Sequence, residues 1–494
     1  MGSSTPPSQS GSGTPAAKPT VVLVALWGVS HFAPMVEVGK RLLALSGRSL
    51  TVNVLVVPSP TGKWEAEIFE RIRRDEASGL NIRFHHLRAA EPPTDHTGIE
   101  EFVSRYVQLY VPQVKAIVSG LTCPVAAVVV DIFCTTLLDA PQELGVPAYV
   151  FLISSAAMAA VLLRSPSLDE EVGPGVEFEE LEGGLDVPGL PPVPASCLPT
   201  GLDNRKISTY EWFLYNGRRY METNGIMVNA IAELEPSVLA AITGGRCTRG
   251  VRPPTVYTIG PVVAIAPRIK LVNECLRWLD SQPTASVLFL CFGGGGGYFS
   301  THQVHEIARG LERSGHRFLW VLRGQPEPPG SKLPTDANLA ELLPAGFLEK
   351  TKERGLVWPT RAPQKEILAH AAVGGFVTHC GWSSIVESLW FGVPTLPWPH
   401  AAEQHFNAFT LVADMGVAEE MKVDKKRNNF VEAAELERAV KALMDDGETA
   451  RKIRNKSMDM KAACRKAVEH GGSSVVCLER LYDALIQGAV DPKE

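Results

Sequence analysis

Apolar residues come in short unbroken runs along this chain, and the first clear one covers residues 21–25. A run of that length without polar alternation predicts a strand buried on both faces. A short loop follows, and then Met35, Val38, Leu42 and Leu45 recur at helical spacing. Runs at 52–57, 125–130 and 148–152 predict three more strands, and 256–259 another that ends in Gly260-Pro261. After residues 262–270, which have no clear period, the pattern restarts. Strands are predicted at 287–292, 317–322, 375–378 and 393–396, with helices from about 301 to 313 and from about Ser384. Gly472-Ser473-Ser474 reads as the cap of a last helix over about 475–486. Apolar strands alternating with amphipathic helices predict parallel sheets covered on both faces. Two such units make this an α/β chain of two Rossmann-like, doubly wound domains facing across a cleft. Ligands bind such sheets beyond the carboxyl ends of the strands, so the cleft is the expected site.

Length agrees with two domains, because 494 residues exceed what one core organises. A net charge of -6 on such a chain gives no footprint for nucleic acid or an anionic membrane. The nine cysteines are scattered, and Cys123, Cys134, Cys291 and Cys380 sit in apolar surroundings. No pair has metal-site spacing, so they read as reduced thiols of a cytoplasmic protein. Residues 1–19 lack the basic start and apolar stretch of a secretory signal and read as a flexible tail. A myristoylation reading of Gly2 fails because Pro6 stands where Ser or Thr is needed. No apolar run is long enough to span a bilayer.

Two stretches are candidates for holding a phosphate. The five glycines Gly293–Gly297 lie between a strand and a helix, where a dinucleotide fingerprint belongs. Tyr298 or Phe299 then falls on the last glycine position, so a nicotinamide oxidoreductase fails on spacing. Residues 361–404 carry more. A strand there runs into His379-Cys380-Gly381-Trp382 and then Ser383-Ser384, two serines able to cap a helix. That helix start would offer an imidazole, two hydroxyls and free N–H groups to a diphosphate. Glu387, one turn further on, suits ribose hydroxyls, and Glu403-Gln404 after the next strand suits the hydroxyls of a sugar. Taken singly, Trp382 would be core, Glu387 a solvated carboxylate and His379 a structural histidine; their order and spacing argue otherwise.

The segment 361–404 resembles the signature box of the plant family 1 UDP-glycosyltransferases, the plant secondary product glycosyltransferases, and the likeness extends over nearly the whole chain beyond the tail. The resemblance implies the two-domain GT-B fold, a UDP-sugar co-substrate and no metal or other cofactor. It divides the chain into an acceptor-binding domain at 20–262, a linker at 263–272 and a UDP-sugar-binding domain at 273–470. The helical segment 471–494 would pack back toward the first domain. By the same resemblance Ala362 and Gln364 touch uracil and ribose, His379 and Ser384 the phosphates, and Glu387 the ribose. Trp382, Glu403 and Gln404 fall to the sugar, and a terminal Gln in the box accompanies glucose donors.

His31 follows the first strand, and Asp131 ends the strand at 125–130. Two strand ends of one parallel sheet can lie side by side, making a base and its orienting carboxylate. The imidazole would take the acceptor hydroxyl's proton, and the oxygen would attack the anomeric carbon opposite UDP with inversion. The family resemblance gives a His and an Asp in these places the same roles. His85, His86, His302 and His305 have no acidic or cysteine companions at ligand spacing and read as surface or packing residues. Lys422, Lys425, Lys426 and Arg427 read as a solvated basic loop.

Three positions depart from the family pattern. Arg361 stands where a Trp stacks on uracil, Ser383 where an Asn stands, and Gly294 where a Ser follows Cys-Phe-Gly. All three touch the nucleotide, so the sequence predicts weakened donor binding or altered donor choice, with the chemistry retained. The leading reading is an inverting transferase that moves a sugar, glucose by the resemblance, onto a hydroxyl of a small apolar acceptor such as a flavonoid, another phenolic or a terpenoid. The acceptor pocket would be lined by residues 151–163 and by the proline-rich loop 187–199. The alternative is a non-catalytic small-molecule-binding protein on the same fold with an eroded donor site.

Overall fold

The apolar runs become strands that feed two cores at once. In β1 (Thr20–Ala25), Val22 and Val24 enter one core while Val21, Leu23 and Ala25 enter the core on the opposite face. That is why the run needs no polar alternation. The computed structural model describes residues 17–490 apart from 48, 63, 264–273, 295–296 and 328–333. The expected linker at 263–272, except Val263, and the tail up to residue 16 therefore lie outside the described residues.

Six strands join β1 in a fully parallel sheet. They are β2 (Thr51–Val56), β3 (Ile82–His86), β4 (Val125–Asp131), β5 (Ala148–Leu152), β6 (Gly225–Val228) and β7 (Thr255–Thr258). Their order is β3-β2-β1-β4-β5-β6-β7, so the chain reverses direction across the sheet between β1 and β4. Val24 pairs with Val130 there, which brings the carboxyl ends of the two strands together. A crevice opens at such a switch point.

The second sheet repeats the plan. It comprises β8 (Val287–Cys291), β9 (Arg317–Val321), β12 (Gly355–Trp358), β13 (Val373–Thr378) and β14 (Thr395–Pro397), in the order β12-β9-β8-β13-β14. A ribbon of β10 (Arg323–Gly324) and β11 (Thr335–Asp336) stands beside it. Leu288 and Leu290 of β8 face one core, and Val287, Phe289 and Cys291 the other. The chain thus has the GT-B architecture of two Rossmann-like domains.

Several elements differ from the sequence reading in detail. The helix expected from Ser384 spans Trp382–Phe391 with Gly381 as its N-cap, so Ser383 and Ser384 lie inside the first turn and cap nothing. The last helix spans Ser473–Val490, longer at both ends than expected. It leaves the second domain and lays Cys477, Leu478, Leu481 and Leu485 into the core that holds Val21 and Leu23. The strand β14 starts two residues later than expected, after Pro394. His85 and His86 lie on the edge strand β3, where His85 meets Asn53 at 2.8 Å and His86 stacks on Phe69. Lys425 is not simply solvated, since its ammonium reaches Asp203 of the first domain at 2.9 Å.

Candidate active site

The helix Val29–Leu45 leaves β1 through Gly28, and His31 lies in its first turn rather than in the preceding loop. Asp131 is the last residue of the neighbouring β4 and is fully buried. The two meet with Nδ1 of His31 2.9 Å from Oδ2 of Asp131. An ionised carboxylate only accepts hydrogen bonds, so Nδ1 carries the proton and Nε2 keeps its lone pair. The imidazole retains 30% of its side-chain exposure and faces a cavity. Burial works against charging His31, but the charge and hydrogen bond of Asp131, with a further contribution from Glu403, raise its pKa above 6.5.

That cavity, of about 340 Å³, is walled by apolar side chains including Ile132, Phe133, Ile153, Met158 and Phe213. Ile153, Ser154 and Met158 come from the 151–163 region, and Pro199 from the end of the proline-rich loop. A second cavity of about 710 Å³ runs between the domains beyond it. Ser30, His379, Ser383 and Gln404 line both, so the two adjoin at these residues. Among the described residues, no group of three or more His, Cys, Asp or Glu is placed to hold a metal ion.

The larger cavity gathers part of the signature segment. His379 sits in the turn after β13, against the backbone of Gly293 and Gly381. A Cβ on Gly293 would lie 2.8 Å from the imidazole Cε1, and one on Gly381 2.5 Å from its Nε2. Gly293 also has φ +77°, a left-handed conformation that glycine adopts without strain. Burial lowers the pKa of His379 to about 4, so it is neutral, and its Nδ1 is buried without a hydrogen-bond partner among the described residues. Nε2 of His400, in the same wall, is likewise buried and unpaired. Orphaned polar atoms in a cavity wall mark places where a ligand's polar atoms fit. The first turn of Trp382–Phe391 adds backbone N–H groups without intrahelical partners.

Glu387 faces this cavity from one turn further along. Gln364 does not line it; its amide donates to Ser384 Oγ at 2.9 Å and to Glu387 Oε2 at 2.8 Å, fixing both. Ala362 packs against the core beneath β8 and is also absent from the wall. Burial raises the pKa of Glu387, with the Gln364 hydrogen bond opposing that shift. Gln404 accepts from the backbone N–H groups of His400 and Ala401 at 2.9 and 3.1 Å. Its carbonyl oxygen is thereby committed and its NH₂ is left for the cavities. Glu403 stands in the smaller cavity, its pKa raised by burial and lowered in part by its own backbone N–H and by His31.

Two residues behave differently from expectation. The indole of Trp382 is 3% exposed and donates to the backbone carbonyl of Asn229 at 2.8 Å, across the domain boundary. Its ring packs with Ile231 and Leu234, and the residue also lines the smaller cavity. Arg361 stands at the cavity mouth, where its guanidinium grips Glu67 of the helix Glu65–Glu76 in a two-pronged ion pair of 3.0 and 3.1 Å. Both partners come from opposite domains. The pair is exposed, 66% on the Arg361 side, so its stabilising contribution is small. Trp64, Phe292 and Glu100 also line the cavities and were not singled out by the sequence, because each reads as an ordinary core or helix residue.

Known proteins share this fold. A family profile described as "UDP-glucoronosyl and UDP-glucosyl transferase" matches residues 254–458. Malvidin galactosylase UGT88C3 of Oryza sativa subsp. japonica is 60% identical over 481 residues, covering 96% of this chain and 99% of its own. The chain belongs to the UDP-glycosyltransferase family. An anthocyanidin 5,3-O-glucosyltransferase of a Rosa hybrid cultivar is 36% identical, covering 93% of this chain and 98% of its own. Among solved structures, a UDP-glucosyltransferase from Polygonum tinctorium superposes with a TM-score of 0.83 at 35% identity, covering 96% of this chain and all of that one. UGT71G1 of Medicago truncatula, solved with UDP-glucose, gives 0.81 at 32% identity over 95% of this chain and 98% of its own. As a UDP-glycosyltransferase, this protein takes a UDP-sugar as its donor.

Proposed function

We propose that this UDP-glycosyltransferase moves a hexose from its UDP donor onto a phenolic hydroxyl of a flavonoid-like acceptor, with inversion, in the cytoplasm. The observation that carries the reading is the His31–Asp131 contact of 2.9 Å beside the smaller cavity, which His31 lines one residue from Ser30, a residue common to both cavities. The acceptor lies in the smaller cavity with its hydroxyl at Nε2 of His31. Nε2 takes that proton while Asp131 steadies the imidazolium that results. The oxygen bonds to the anomeric carbon from the side opposite the diphosphate, and the bond from that carbon to the diphosphate breaks. UDP leaves with the electron pair.

The leaving charge is met by the first-turn N–H groups of Trp382–Phe391, the Ser383 hydroxyl and the unpaired Nδ1 of His379. An anion beside His379 favours its protonated form, against the burial that keeps it neutral in the empty site. Glu387 suits the ribose, and Glu403 with the NH₂ of Gln404 suits the sugar hydroxyls. These groups supply the stabilisation without a metal, which supports metal-independent transfer. Nine free cysteines support a reducing compartment. No helix among the described residues is long and apolar enough to cross a membrane.

Gln404 favours glucose by resemblance, whereas the relative at 60% identity is named a galactosylase, which makes UDP-galactose the specific second reading for the donor. The two sugars differ at one hydroxyl. Competing the two donors on a flavonoid aglycone in the presence of EDTA, with the glycoside identified by mass spectrometry and proton NMR, tests the proposal. A β-linked hexoside is expected; no glycoside from either donor overturns it. The non-catalytic alternative draws no support from the relatives above, each named for a transfer reaction.

A further inference from the structure

The helix Glu65–Glu76 belongs to the first domain, and Glu67, Glu70, Arg71 and Arg74 turn one of its faces to the larger cavity. The start of this helix faces the second domain at two points. At one, Glu67 holds the guanidinium of Arg361 through contacts of 3.0 and 3.1 Å. At the other, Trp64 faces the glycine loop after β8, where a Cβ on Gly294 would stand 3.7 Å from its Cη2. Trp64 is the N-cap of the helix and Glu67 its third residue, a spacing that puts the two side chains on the same side. Gly294 and Arg361 are two of the three positions at which the chain departs from the family pattern. One short segment of the opposite domain meets both.

The wall of the larger cavity is polar where His379, Ser383 and the first turn of Trp382–Phe391 face it, and Glu387 stands one turn further on. These groups suit a diphosphate and a ribose. The rest of a uridine nucleotide is a flat neutral ring, which binds by stacking on an aromatic face. Among the described residues, the signature segment 361–404 contributes no Phe, Tyr or Trp to this wall, and the large rings that line it are Trp64 and Phe292. Phe292 is 3% exposed and lies edge-on to Phe299, Trp398 and His400, which commits it to packing. Trp64 is half-buried: it packs against the core that holds Val21 and Leu23 and also lines the cavity. Its backbone is left-handed at φ +70°, a conformation that a bulky residue keeps only where its surroundings fix it.

We propose that Trp64 of the first domain is a donor-binding residue that gives the uracil of the UDP-sugar its stacking surface, and that the Arg361–Glu67 ion pair is the clasp that seats it across the cleft. The base is thereby gripped by the domain that also carries His31, so a bound donor ties the two domains together. The inference rests on the UDP-sugar donor of the reading above and deepens it with a residue outside the signature segment. Stacking of this kind needs the flat face of the base rather than its hydrogen-bonding edge.

The test titrates the full chain calorimetrically with UDP and with dihydro-UDP, whose reduced ring keeps the carbonyls and N–H of uracil but is no longer flat. Wild type, Trp64→Ala, Trp64→Phe and Glu67→Gln are compared, each checked for folding by circular dichroism. Wild type should bind UDP roughly tenfold tighter than dihydro-UDP. Trp64→Ala should weaken UDP by about that factor and dihydro-UDP much less, so that the preference is lost, and the donor KM should rise in step while kcat falls much less. Trp64→Phe, with a smaller ring, should keep part of the preference. UDP should quench the tryptophan fluorescence of wild type, and Trp64→Phe should lose most of that quenching. Glu67→Gln should weaken UDP by up to about fivefold at low salt, and its difference from wild type should vanish near about 1 M salt. No binding of UDP or no preference for it in wild type, equal weakening of both nucleotides in Trp64→Ala, or a preference untouched by that substitution would overturn the proposal. Were Trp64→Ala to unfold, full preference and full quenching in Trp64→Phe would overturn it instead, and a Glu67→Gln protein indistinguishable from wild type at low salt would overturn the clasp. The transferase reading fails separately: the stacking preference would persist, but no UDP-hexose would yield a glycoside.

Discussion

Replacing Gly293 with Ala isolates the contact that sets His379 in the donor cavity. A new Cβ would stand 2.8 Å from Cε1 and 2.9 Å from Nε2 of the imidazole. Carbon contacts settle near ~3.5 Å, so the ring must retreat by roughly 0.7 Å. It has little room, because Gly381 is also close: a Cβ there would stand 2.5 Å from Nε2. The left-handed backbone at φ +77° adds about 1–2 kcal/mol of strain for any side chain. A His379 so displaced loses its hydrogen bond to a diphosphate, and a bond to a charged group is worth about 1.5–3 kcal/mol. Calorimetric titration should therefore show UDP binding weakened about tenfold to a hundredfold, with a lower melting temperature. The neighbouring Gly294 provides the control. It does not have a positive φ, and its Cβ would find only Trp64 at 3.7 Å, so Gly294→Ser should fold normally and bind UDP at least as well as wild type. A Gly293→Ala protein that binds UDP within twofold of wild type would refute the reasoning about His379.

Three other outcomes follow from the same geometry. The rate against pH should fall on the acid side with a midpoint above 6.5, because His31 must be neutral to accept a proton and its pKa is raised; Asp131→Asn removes the raising partner while burial remains, so kcat should drop by at least about a hundredfold and the acid limb should move to lower pH. Arg361→Trp exchanges an exposed ion pair for a ring at the cavity mouth, and the donor KM should fall while the melting temperature changes little, since such pairs contribute about 0–1 kcal/mol; an unchanged donor KM would count against Arg361 as the weak point. Trp382→Phe leaves the carbonyl of Asn229 without its donor across the domain boundary, and urea unfolding should show a loss of about 1–3 kcal/mol.

Legibility in the sequence follows physical locality. Unbroken apolar runs such as those of β1, β4 and β8 announce buried parallel strands, because both faces are covered. The strands β3, β6 and β12 are short, and β3 reads Ile-Arg-Phe-His-His on a half-exposed sheet edge, so no periodic signal sets them apart. The helix Ala156–Val172 is buried nearly all round in its first half and contains Pro166, which hides it from a search for one apolar face. The signature segment is legible as a unit, yet the duties of its side chains are not. Gln364 turns to brace Glu387, and Trp382 serves the domain boundary because Asn229, far away in sequence, offers a carbonyl at the right place. Glu67 meets Arg361 only after two domains have come together.

A His31 that removes the acceptor proton during sugar transfer makes the reaction depend on its imidazole. Single-turnover transfer from UDP-hexose to a flavonoid aglycone, measured for wild type and His31→Ala alongside UDP titrations of both, tests it most directly. Glycoside is expected from wild type, with a loss of at least about a hundredfold in His31→Ala and UDP affinity retained, because His31 lies outside the wall of the larger cavity. A His31→Ala enzyme that transfers at a rate near wild type would contradict it.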